Sequence, residues 1–160
     1  IANAVQPSLA NEAFLAGLFH DVGKLILDEH IFSRNDAFKK FLGDSPETHY
    51  RAEKQILGFD HSEIASELCK RWKFPQAVTQ AIGRHHHLNP DNVDELTFIL
   101  HAADNLTKID GNGISGGCDL YEIDEQVLQF LVLEVDDING ILAEVGDSVG
   151  QISDEIFGQS

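Results

Sequence analysis

Apolar and polar positions recur along this chain at helical spacing. Between Pro7-Ser8 and about Leu27, Phe14, Leu18, Val22 and Leu25 fall three and four residues apart, which predicts one helix burying that stripe. Asp44-Ser45-Pro46-Glu47 announces a second helix, because the Asp and the Glu three residues later cap open amides and Pro suits the first turn; it ends before Gly58. The same capping pattern, Asp60-His61-Ser62-Glu63, opens a third helix to about Trp72, and Pro75 starts a fourth that reaches about His87. After Leu88-Asn89-Pro90 a fifth helix is expected from about Val93 to Ile109. A glycine-rich connector over 110–118 then breaks all periodicity, and a short helix near 124–131 leads to a long one over 136–157. No alternation long enough for a sheet appears, so the expected fold is all-α.

The long last helix carries Ile138, Leu142, Val145, Val149, Ile152 and Ile156 at alternating spacings of four and three, the narrow seam that packs on one partner helix. Packing on its own bundle is the expectation. A homodimer through the seam is the alternative, and the acidic flanks oppose it.

Charge divides the chain. The 160 residues hold 11 Lys and Arg against 27 Asp and Glu, a net of −16, which argues against nucleic acid as the partner. Residues 1–109 carry all 11 bases and 15 of the acids; residues 110–160 carry 12 acids and no base. We therefore expect a near-balanced core over 1–109 and an acidic helical extension over 110–160. The two cysteines, Cys69 and Cys118, lack any paired spacing, which fits a reducing cytoplasm. No run approaches the ~20 apolar residues of a membrane helix, so no membrane partner is expected. A chain that starts with Ile and contains no Met reads as a piece of a longer protein.

Eight histidines cluster near acids. His20-Asp21 falls inside an apolar helix, where a carboxylate needs compensation; His61 opens a helix, His85-His86-His87 closes the next, and Asp104 lies in the helix after that. Imidazoles and buried acids on separate helices are how bundles assemble divalent-metal sites. Adjacent His20 and Asp21 point about 100° apart on one helix, so a two-metal arrangement asks less of them. Asp21 would then bridge, with His20 and Asp104 on one ion and His61 with His85 or His86 on the other. His101 could orient Asp104 from three residues away or be a satisfied core histidine, while His30, His49 and His87 read as surface or helix-end residues. The connector at Asp110-Gly-Asn112-Gly113 matches neither a calcium loop nor a phosphate loop.

These residues fall in a recognisable order. Ala13-Phe14-Leu-Ala-Gly17-Leu-Phe-His20-Asp21-Val-Gly23-Lys24, Gly58-Phe-Asp-His61, Trp72-Lys-Phe-Pro75, Ala81-Ile-Gly-Arg-His85-His86 and His101-Ala-Ala-Asp104 resemble the HDOD domain over roughly residues 1–109. That domain is a bacterial signalling relative of the HD metal-dependent phosphohydrolases. The resemblance implies an HD-like helical bundle and a divalent cation (Fe, Mn, Mg or Zn). It implies His20, Asp21 and Asp104 as its ligands, with His61, His85 and His86 supporting a second ion. It also implies Asp21 and Lys24 as catalytic residues, the lysine contacting a nucleotide or phosphate ligand, and a signalling partner or fused upstream domain. Two departures temper this: no His precedes His20, where HD enzymes carry a first ligand, and His87-Leu-Asn-Pro-Asp91 replaces the motif of cyclic-di-GMP hydrolases. The expectation is a regulatory domain with a partly retained metal pocket and no efficient catalysis. A metal-dependent phosphohydrolase and a plain helical scaffold are the alternatives.

Overall fold

The computed structural model describes residues 1–42, 49–88, 94–109, 127, 129, 131, 132 and 135–158. Among them there is no strand. In chain order the helices are α1 (Ala2–Val5), a 3₁₀ turn at Pro7–Leu9, α2 (Ala10–Phe19), α3 (Val22–Ser33) and α4 (Asn35–Leu42). Then come α5 (His49–Leu57), α6 (His61–Arg71), α7 (Gln76–Arg84), α8 (Glu95–Ile109) and α9 (Val135–Phe157). The all-α expectation holds. The connector at 110–118 and the start of the helix predicted at Asp44 lie outside the described residues.

The first predicted helix is two helices, and the break falls at His20-Asp21. The face that goes inward is the alanine face. Leu9, Ala13, Ala16 and His20 lie four, three and four residues apart, and the small side chains let α2 approach α7 and α8 closely. Phe14, Leu18 and Leu25, predicted to be buried, are 73%, 64% and 80% exposed, because Phe14 and Leu18 share a face of α2 that is not the one packed on the core, and Leu25 lies beyond the break. Helix α4, with Phe38 as its one buried side chain, was not anticipated.

Helix α7 is the centre of the bundle, touching α2, α6 and α8. Ala16, Ala65, Cys69, Val78, Ala81, Ile82, Leu96 and Leu100 form the core there. The α6–α7 turn is a Schellman cap. Lys73 takes a left-handed φ of 61°, its N–H reaches Lys70 O, and Phe74 N–H reaches Cys69 O while the Phe74 ring packs on the core.

Helix α6 starts as predicted. Asp60 Oδ1 accepts from Glu63 N–H at 3.0 Å and from Ser62 Oγ at 2.6 Å, and Glu63 Oε2 accepts from Asp60 N–H at 3.1 Å, closing the capping box. His87 Nε2 donates to the second Asp60 oxygen at 3.2 Å. Burial pushes the Asp60 carboxyl up, but these donors outweigh it and hold it below the usual carboxylate range. Asp60→Ala is expected to remove about 2 kcal/mol from the unfolding free energy, and Asp60→Asn, which still caps, less than half of that, as read from urea midpoints.

Helix α9 is as long as predicted, but its seam is not covered. Ile138 and Leu142 are half-buried, whereas Val145, Val149, Ile152 and Ile156 are exposed. Its first half, with Ile141 and Leu142, lines a cleft shared with α1, α2 and α8. No helix of the described residues is long and apolar enough to cross a membrane.

Candidate metal centre

Four of the predicted site residues sit at the end of a buried stripe, and the stripes point at one place. His20 continues the alanine face of α2; His85 follows Val78 and Ile82 on α7; Asp104 lies one turn beyond Leu100 on α8; His61 heads the Ala65–Cys69 face of α6. The helix break matters here. Asp21 takes the position before α3 (φ −99°, ψ 2°) without capping it, so its carboxylate is free to share a centre with the His20 ring.

The imidazoles are wired alike. His20 Nδ1 donates to Gly17 O at 2.8 Å, His85 Nδ1 to Ile82 O at 2.7 Å, and His61 Nδ1 to Glu53 Oε2 at 2.7 Å. Each ring is anchored through Nδ1 and turns its Nε2 inward, the arrangement of metal-binding histidines. His20 Nε2 lies 3.4 Å from Asp21 Oδ2 and 3.6 Å from Asp104 Oδ1; His61 Nε2 lies 3.3 Å from Asp21 Oδ1 and 2.9 Å from His86 Nε2. Two donor sets have ligand atoms mutually within 4.8 Å: His61 with His85 and His86, and His20 with Asp21 and His85. All six predicted ligands are therefore brought together, with Asp21 between His20 and His61 as a bridging carboxylate would be.

The atoms fit a cation. Asp21 Oδ1 and His85 Nε2 are buried and make no hydrogen bond, a costly state for either. A positive ion between them satisfies both, and imidazole with carboxylate is the donor set of Fe, Mn or Zn. Such an ion would be held by His20, Asp21, His61, His85, His86 and Asp104.

Charge follows the geometry. Burial lowers the His20 pKa, but the hydrogen bond to Asp104 and the charges of Asp21 and Asp104 outweigh it, leaving it raised. Burial raises Asp21, yet His20, Lys24 and His61 hold it below the usual carboxylate range. His85 is enclosed most completely, and burial drives it down to about 3. Lys24 Nζ donates to Asp21 Oδ2 at 2.7 Å, so the lysine faces the site and not bulk solvent alone.

His101 and His87 have partners of their own. His101 does not orient Asp104; its Nδ1 donates to His85 O at 2.7 Å and its Nε2 meets the Asn105 amide at 2.9 Å, so it braces the His85 backbone. His87 is exposed just past the end of α7, as expected, and is tied to Asp60. Glu53 and Tyr50, both on α5, were missed. Glu53 is 2% exposed and anchors His61; Tyr50 stacks on His86 with ring centroids 4.6 Å apart and planes 7° from parallel. A Glu eight residues before a His gives no periodic signal.

A model of the HDOD domain matches residues 1–88, more than half of the 160. The chain belongs to the HDOD family. The match covers His20, Asp21, Lys24, His61, His85 and His86 and stops before Asp104, which the fold of this HDOD chain brings to the same centre. No curated protein and no solved structure matches it.

Proposed function

We propose that this HDOD chain is a regulatory domain that holds a divalent cation in the pocket between His20, Asp21, His61, His85, His86 and Asp104, without efficient phosphoester turnover. The observation that carries this is the buried, unbonded pair of acceptors, Asp21 Oδ1 and His85 Nε2, among inward-turned imidazoles. A bound ion supplies positive charge that ties α2, α3, α6, α7 and α8 together, so occupancy couples to the stability of the bundle. Such a coupling suits a domain read by a signalling partner or by a fused domain. The engagement of Lys24 with Asp21 at 2.7 Å supports the absence of turnover, because the ammonium that would neutralise a phosphate already neutralises a carboxylate.

The test is metal content after reconstitution with Zn²⁺, Mn²⁺ or Fe²⁺ and desalting. About one equivalent or more is expected, with affinity more than about tenfold weaker in Asp21→Ala at an unchanged circular dichroism spectrum. Equal metal content in wild type and Asp21→Ala would refute the site. Turnover of an aryl phosphate at an enzyme-like rate, lost in Asp21→Ala, would replace the regulatory reading with a metal-dependent phosphohydrolase.

A further inference from the structure

Glu53 is a carboxylate with almost no access to water, and what it accepts is unusual. Its Oε2 lies 2.7 Å from the backbone N of His61 and 2.7 Å from Nδ1 of the same residue. The chain is built to allow this. Helix α5 ends at Leu57, Gly58 turns with φ +88°, a conformation that glycine adopts without strain, and α6 begins at His61. Glu53 is thereby set over the first turn of α6, where the backbone amides have no helical partner. One oxygen thus accepts an open amide and the ring N–H of the first residue of the helix.

The consequence falls on the far side of the ring. An oxygen already accepting the amide proton takes a second from Nδ1, so Nδ1 holds a proton and Nε2 is the ring nitrogen turned toward Asp21 and His86. The anchors of His20 and His85 are neutral carbonyls, whereas that of His61 is a carboxylate, which strengthens the ring as a ligand more than a carbonyl does. One turn earlier on the same helix, Tyr50 stacks on His86, so α5 supports both imidazoles of the pair from behind.

We propose that Glu53 is the positioning residue of the pocket, fixing the His61 tautomer and thereby setting the affinity for the cation. The proposal rests on the metal-binding reading above. The experiment uses the full chain, Zn²⁺ as the probe, and the variants Glu53→Gln, which keeps an acceptor and loses the charge, and Glu53→Ala. Zn²⁺ affinity by chelator competition is expected to fall about 10- to 100-fold in Glu53→Ala and by an intermediate factor in Glu53→Gln. Ring ¹⁵N shifts of metal-free protein are expected to report Nδ1–H at His61 in wild type and Glu53→Gln, and loss of that single tautomer in Glu53→Ala. Unchanged affinity in both variants, or an unchanged His61 tautomer in Glu53→Ala, overturns the proposal. Should Glu53→Ala not fold, unchanged affinity in Glu53→Gln overturns it. If wild type binds no Zn²⁺, the metal-binding reading falls by itself, and the ring shifts still decide whether Glu53 sets the tautomer.

Discussion

Gly23→Ala is expected to destabilise the chain by about 3 kcal/mol or more and to abolish metal retention. In most helices the change has the opposite sign, since alanine gains up to about 1 kcal/mol over glycine. Gly23 is buried in the first turn of α3, and a Cβ there would run into the carbonyl oxygen of His61, with the His61 carbonyl carbon 2.8 Å and Cα 3.0 Å away. These are backbone atoms at the start of α6, so no side-chain rotation relieves the clash; α3 and α6 must separate. The separation would act on His61 and on Asp21, two residues before Gly23, and so on both sides of the proposed metal site. Gly17→Ala is the control. On α2 the added methyl meets nothing within 4 Å, and a gain of about 0.5–1 kcal/mol is expected. Urea unfolding of the three proteins, with metal content after desalting, checks both signs; a Gly23→Ala protein as stable as wild type would refute the close contact.

This contact also shows what a sequence exposes and what it hides. The capping box at Asp60 and Glu63 was legible because the interaction is local: an acid, a Glu three residues on, and an apolar stripe behind them. The candidate site was legible because a carboxylate inside an apolar helix, at His20-Asp21, demands a partner, and His61, His85, His86 and Asp104 offer imidazoles and an acid on other helices. The interruption of the first helix was not legible. Ala10 to Ser33 contains no proline, and nothing local marks the turn at His20-Asp21 that separates α2 from α3. The apolar stripe was misjudged with it, because Ala13 and Ala16 form the packing face while Phe14 and Leu18 stay exposed. Small residues bury well where backbones approach closely, which a hydrophobicity pattern cannot rank. Glu53 was invisible because its partner lies across the Gly58 turn.

Acidifying the metal-free chain from pH 6.5 to 4 is expected to cost about 3 kcal/mol of stability, and His85 is the cause. Its ordinary pKa is 6.5, and in the folded chain burial lowers it to about 3. Below pH 6.5 the unfolded chain takes up a proton at this residue that the folded chain refuses until about pH 3, so the unfolded state gains steadily across the window. The other perturbed groups facing the pocket act outside it. The His20 pKa is raised in the fold, so its contribution is fully present below 6.5 and constant from there down. Asp21 and Asp60 lie below their usual 3.8, so theirs is lost mainly under pH 4. Asp104 favours a charge on His85, while His20 and His61 oppose it alongside burial. His85→Leu keeps an apolar side chain in the enclosed position and removes the titration. The difference in unfolding free energy between variant and wild type should therefore widen in favour of the variant as the pH falls from 6.5 to 4. A difference that stays constant across that window would show that His85 charges readily in the folded chain, and would count against the sealed geometry that leaves its Nε2 without a hydrogen bond and turned toward Asp21.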